Sequence, residues 1–180
     1  MMRYSITREP VPNDALLMTY RGAVHAERWG SYADCFSVKV DRSATLAEFV
    51  FAFYTSPLFR IERFLLRALL NAPSSLADAR TVADGTADKF AIWYVGQRTA
   101  TQLLMCDRYE QTRSWFRVEA LDGGGTCLRF GSAVAARRNP KSGALTRGPG
   151  FSMLLGFHIA YSRALLHAAR MRLQRVAAVG

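Results

Sequence analysis

The feature that most constrains this chain lies between residues 89 and 136. Four strand-length segments, KFAIWYVGQ, QLLMCDRY, SWFRVEAL and TCLRFGSAVAA, follow one another there, rich in aromatic and β-branched side chains. The breaks between them are RTAT, EQTR and DGGG. A crossover between parallel strands takes about a dozen residues or more, so breaks this short force hairpins. The segment reads as an antiparallel meander. After it, FSMLLGFHIAYSRALLHAARMRLQRV reads as one long helix closing the chain. A long amphipathic helix following a sheet has to bury its apolar side across that sheet, which gives two layers.

Upstream, ADCFSVKV alternates Phe36, Val38 and Val40 against Cys35, Ser37 and Lys39, the pattern of a half-buried first strand. Thr45 and Glu48 then have the spacing of a capping box. Leu46, Phe49, Val50 and Phe53 follow at i, i+3, i+4, i+7, so a short amphipathic helix is expected. Ser56 and Pro57 restart a helix that NAPSS ends. Leu58, Ile61, Leu65 and Leu69 form its apolar face, and Arg60, Arg63 and Arg67 a basic stripe. LADARTVADGT reads as a loop with a turn or two of helix. Residues 1–32 read as an extended lead-in with a short strand near LLMTYRG. The fold class is α+β: two short helices after the first strand, then an antiparallel sheet wrapped around a long C-terminal helix. We expect one domain over residues 1–180, with its core over 33–175.

Composition excludes several classes. No apolar run reaches the roughly 18 residues that span a membrane, and MMRYSITREP lacks the apolar core of a signal peptide. Cys35, Cys106 and Cys127 lie far apart with no C-x-x-C pair, which fits a reducing compartment and a cytoplasmic location. His25, His158 and His167 are equally dispersed, so no metal is expected, and no cofactor motif is visible. The net charge is +10, and almost all of the 24 cationic side chains are arginines. They are spread through every segment, which argues for genomic composition over a nucleic-acid or anionic-lipid patch. A homodimer stays open.

The closing helix has two readable faces. Arg163, His167, Arg170 and Gln174 mark a solvent stripe. The opposite line runs through Leu154, Phe157, His158, Tyr161, Leu165 and Ala168. His158 and Tyr161 are therefore polar tips on an inward face, either satisfied inside a core or lining a pocket. Asp107 shares a strand face with Leu103, Met105 and Tyr109. Facing inward, it would need His158, Tyr161 or an arginine as partner; near its turn, it would be structural. Cys106 has the opposite parity, which discounts a Cys106–His158 nucleophile. The loop RRNPKSGALTRGPG carries Arg137, Arg138, Lys141 and Arg147 into a helix N-terminus, a setting that favours anions, although it matches no phosphate-loop signature.

The order of elements, with YADCFSV, SPLFRIERFLLRALL, LLMCDRYEQTRSWFRVEA and GFHIAYSRALL, resembles the helix-grip fold of the START-like (SRPBCC) superfamily, in an uncharacterised bacterial branch. That superfamily includes lipid-transfer domains, polyketide cyclases and plant allergens. The branch it resembles has an Asp before the middle hairpin and a Phe-His pair opening the last helix, here Asp107 and Phe157–His158. The resemblance implies a cavity between sheet and last helix that takes a small apolar or amphipathic molecule. Its expected walls are Phe90, Ile92, Met105, Phe116, Val118, Phe130, Phe157 and Tyr161, with His158 and Asp107 as polar anchors. A ligand carrier is the leading expectation. The alternatives are a cyclase, dehydratase or hydrolase using His158 and Asp107, and an arginine-rich protein binding anions or nucleic acid.

Overall fold

The computed structural model describes residues 5–19, 32–61, 64, 73–134, 137–138, 145–146 and 151–177. Its strands are β1 (Thr7–Arg8), β2 (Tyr32–Val40), β3 (Lys89–Phe90), β4 (Trp93–Arg98), β5 (Gln102–Asp107), β6 (Thr112–Ala120), β7 (Thr126–Val134), β8 (Arg137–Arg138) and β9 (Leu145–Thr146). Its helices are α1 (Leu46–Tyr54), α2 (Leu76–Asp84) and α3 (Phe151–Ala177). The first seven strands form one sheet in the order β1-β2-β7-β6-β5-β4-β3, antiparallel throughout. The meander of β3 to β7 thus returns to lie beside β2, where nine residue pairs from Tyr32↔Val134 to Val40↔Thr126 hold the register.

Strand parity decides what the sheet covers. Phe36, Val38 and Val40 on β2, Leu103 and Met105 on β5, Phe116 and Val118 on β6, and Leu128 and Phe130 on β7 share one core. Phe49, Val50 and Phe53 of α1 and Leu165, Leu166, Ala169 and Leu173 of α3 complete it. This is the helix-grip arrangement: a sheet curled on one long closing helix. The expected inward parity of Phe116 and Val118 is the one observed. Thr45 closes the capping box of α1, accepting from the Glu48 amide at 3.2 Å while Glu48 accepts from the Thr45 amide at 2.7 Å. Ser56 caps the helical residues that follow, accepting from the Phe59 amide at 3.2 Å.

Four local expectations need correction. The lead-in strand is Thr7–Arg8, while Leu16–Thr19 forms a 3₁₀ turn. Leu17 and Ala15 cover the other face of the sheet, against Cys35, Leu104, Trp115 and Ala133. The central strands are buried on both faces, so this apolar run serves as a cover and not as a ladder partner. Gln102 fixes it, its Oε1 accepting from the Leu16 amide (3.0 Å) and from the Trp115 indole (2.8 Å). Secondly, LADARTVAD is a nine-residue helix, because Ser75 and Asp78 form a second capping box and Gly85 ends it in a left-handed conformation at φ 79°. Thirdly, KFAIWYVGQ is two strands, β3 and β4, turned at Ala91 and Ile92 with Ala91 at φ 54°. The turn carries no Gly, Pro or Asn and so has no sequence signature.

The fourth correction concerns α3. Its buried side is Ser162, Leu165, Leu166, Ala169, Arg170 and Leu173. Arg170, expected in water, is buried and donates from Nε to the Lys39 carbonyl at 3.1 Å. Phe157, expected inside, is 68% exposed. His167 is exposed as expected. The guanidinium's reach to a backbone carbonyl lets Arg170 enter the interface beside the small Ser162, which rotates the buried stripe relative to a purely apolar reading. Ile61 is 60% exposed, against the expected apolar face of its helix; Leu65, Leu69, Arg63 and Arg67 lie outside the described residues. So do His25 and most of the basic loop.

Candidate functional site

Between the sheet and α3 lies a pocket of about 250 Å³. Phe53 and Tyr54 reach it from the end of α1, Phe59 from the helical residues beyond, Trp93 from β4 and Phe130 from β7. His158, Tyr161, Ser162 and Leu165 of α3 form the facing wall. Of the expected walls and anchors, Phe130, Tyr161 and His158 line this pocket. Phe90, Met105, Phe116 and Val118 are packed into the solid core instead, and Ile92 is buried in the turn between β3 and β4. Phe157 stacks on Tyr161 with its ring largely in solvent, centroids 5.7 Å apart.

The polar end of the pocket is built by residues that the sequence reading passed over. Asp34 on β2 and Ser132 on β7 face each other in register. The Asp34 carboxylate is fully buried. Its Oδ1 accepts from the Ser132 amide at 3.1 Å and the Ser132 hydroxyl at 2.7 Å. Its Oδ2 accepts from the Tyr32 hydroxyl at 2.8 Å. His158 then places Nε2 at 2.7 Å from the Ser132 hydroxyl and 3.7 Å from Asp34 Oδ2. The Tyr32 ring meets the imidazole edge to face, centroids 6.1 Å apart. Burial, reinforced by the charge and hydrogen bond of Asp34, raises the Tyr32 phenol well above its ordinary range, so it stays a donor.

Proton counting orders this chain. A carboxylate only accepts, so the 2.7 Å contact from Ser132 to Asp34 uses the serine's one proton. With Asp34 ionised, the 2.7 Å contact from Ser132 to His158 then uses a proton on Nε2. The arrangement runs His158 Nε2–H to Ser132 O–H to Asp34. It differs from a nucleophilic serine triad, in which the acid holds the far nitrogen of the histidine and the histidine takes the serine proton. Here acid and imidazole flank the same hydroxyl, and the acid draws its proton. In this arrangement the Ser132 hydroxyl links the imidazole to the carboxylate.

Asp107 is elsewhere. Its carboxylate accepts from the amides of Tyr109 (3.1 Å) and Gln111 (2.8 Å) and from the Thr112 hydroxyl (3.0 Å), closing its own hairpin turn. Glu110 in that turn sits at φ 55°. Of the two readings of Asp107, the structural one near its turn is observed and the Asp107–His158 pair is not formed, because three donors within five residues reach Asp107 first. The signal for the observed partner was present: Asp34 has the same parity as Phe36 and Val38, a carboxylate on the buried face of the first strand.

Two negative observations frame the site. Among the described residues no group of three or more His, Cys, Asp or Glu side chains is placed to hold a metal ion. No described helix is long and apolar enough to cross a membrane. Among solved structures, the chain is similar to CalU16 from Micromonospora echinospora, at 12% sequence identity and a TM-score of 0.31, over 98% of this chain and 96% of that one. No family model and no curated protein matches the chain.

Proposed function

We propose that this protein binds a small apolar or amphipathic molecule between its sheet and α3. The observation that carries the reading is the pocket itself: a concave site with aromatic and aliphatic walls and a polar end at His158, Ser132 and Ser114. That combination, apolar walls with a few convergent polar groups, is the general form of small-molecule sites. Size narrows the guest. A dry cavity of about 150 Å³ holds benzene, so about 250 Å³ suits a molecule of roughly ten heavy atoms.

The test is extraction of the purified protein with organic solvent, followed by mass spectrometry, beside a calorimetric titration with naphthalene. The expected result is a stoichiometric guest of that size, or saturable uptake of naphthalene by the emptied protein. Leu165→Trp, which fills the pocket from α3, should abolish both. A wild-type protein that carries nothing and takes up no naphthalene would remove the reading.

A further inference from the structure

The histidine in the pocket has one nitrogen spoken for and one free. Nε2 donates to Ser132, as the proton count requires. Nδ1 has no hydrogen-bond partner among the described residues, and about a third of the side chain is exposed. With its proton held on Nε2, a neutral imidazole presents Nδ1 as a bare lone pair, an acceptor. Two of the other polar groups at this end are committed, since Ser132 gives to Asp34 and receives from His158 and both oxygens of Asp34 are occupied, while Ser114, paired with Ser132 across the sheet, adds a hydroxyl to the lining. Beside that hydroxyl, this end leaves open one ring acceptor, Nδ1 of the neutral imidazole.

We propose that His158 Nδ1 accepts a hydrogen bond from the bound molecule, so that the site selects a compact aromatic alcohol. This rests on the ligand-binding reading above. Asp34 bears on the sign of charge at the imidazole, with Arg113 also among the lining residues. Its buried carboxylate lies 3.7 Å behind the imidazole, so an anionic group on the ligand would meet like charge across one ring. A cationic group would give up its hydration to aromatic walls. A neutral hydroxyl escapes both costs. The walls set the rest: Phe53, Tyr54, Phe59, Trp93, Phe130 and Tyr161 offer aromatic faces to a flat ring system. The relay also polarises the acceptor. As the ligand hydroxyl donates to Nδ1, positive charge grows on the imidazole, and Asp34 stabilises it through Ser132. Asp34 and Ser132 are thus positioning residues for His158.

The experiment is a pair of calorimetric titrations, 2-naphthol against naphthalene, on wild type and on His158→Phe, which keeps a ring and removes the acceptor. Wild type should bind 2-naphthol about tenfold more tightly than naphthalene, and His158→Phe should bind the two alike. Equal affinities in wild type would overturn the acceptor role while leaving the pocket standing. A preference that survives His158→Phe would also overturn it. Failure to bind either probe would remove the pocket reading and this inference together. If His158→Phe does not fold, ¹⁵N spectra of the wild-type imidazole replace it. They should show Nε2 protonated and Nδ1 bare, with Nδ1 shifting on addition of 2-naphthol and not of naphthalene. An Nδ1 signal that ignores 2-naphthol, or a proton found on Nδ1, would overturn the proposal.

Discussion

His158 on α3 and Ser132 on β7 meet at 2.7 Å, and this contact ties the closing helix to the sheet at the pocket's polar end. Behind it, Asp34 receives both the hydroxyl and the amide of Ser132. The polar end is therefore part of the sheet's own structure, and its removal should be felt in stability as well as in binding.

Asp34→Asn replaces an acceptor-only group by one that presents an NH₂ to donors already in place. Losing hydrogen bonds to a fully buried carboxylate costs about 1–3 kcal/mol. The urea midpoint should fall with the slope unchanged. An unshifted midpoint would contradict the network described for Asp34.

Asp107→Ala separates a structural carboxylate from a binding one. The variant leaves the Tyr109 and Gln111 amides and the Thr112 hydroxyl without their acceptor. Stability should drop by about 1–2 kcal/mol, while naphthalene affinity stays within about twofold, since Asp107 is not itself among the residues lining the pocket. A selective loss of binding with stability intact would restore Asp107 as an anchor.

Two substitutions on α3 test which side of it is buried. Leu165 is 3% exposed and sits in the main core, so Leu165→Ala should cost about 2–5 kcal/mol. Phe157→Ser should change stability by about 0.5 kcal/mol or less, because its ring is mostly in water. Thermal melts of the pair should rank them in that order.

The capping box of α1 carries a pH dependence. Burial alone would raise the Glu48 carboxyl, but the Thr45 amide, the Arg42 guanidinium and the Thr45 hydroxyl more than reverse this and hold it below its ordinary 4.5. A group depressed in the folded state stabilises the fold above its unfolded value, and that contribution is lost as pH falls through the folded value. Glu48→Gln should therefore be less stable than wild type at about pH 6, and the gap should narrow progressively as the pH is lowered below 4.5. A gap of constant size would mean that the carboxylate charge contributes nothing.

Much of the architecture was legible because period and turn length leave few choices. The short breaks at RTAT, EQTR and DGGG required an antiparallel meander, and the parity of Phe36, Phe116 and Phe130 named the core face. What escaped were features without a local signature. The Ala91–Ile92 turn lacks turn residues. The Ser75 capping box was hidden because Ser75 reads equally well as the end of the preceding helix. The neighbours of His158 escaped for a different reason. Asp107 and Asp34 both have inward parity, and parity alone cannot say which carboxylate is consumed by its own turn. That depends on Tyr109, Gln111 and Thr112 closing around one, while β2 meets β7 across the sheet to bring Ser132 to the other.

The most direct test is a methyl-resolved NMR titration with naphthalene. Binding between sheet and helix predicts saturable shifts at Leu165 and Val134, which line the pocket. Leu17 and Leu104, on the opposite face of the sheet, should stay still. Shifts at Leu17 and Leu104 with Leu165 unmoved, or no saturable shift at any methyl, would contradict the account.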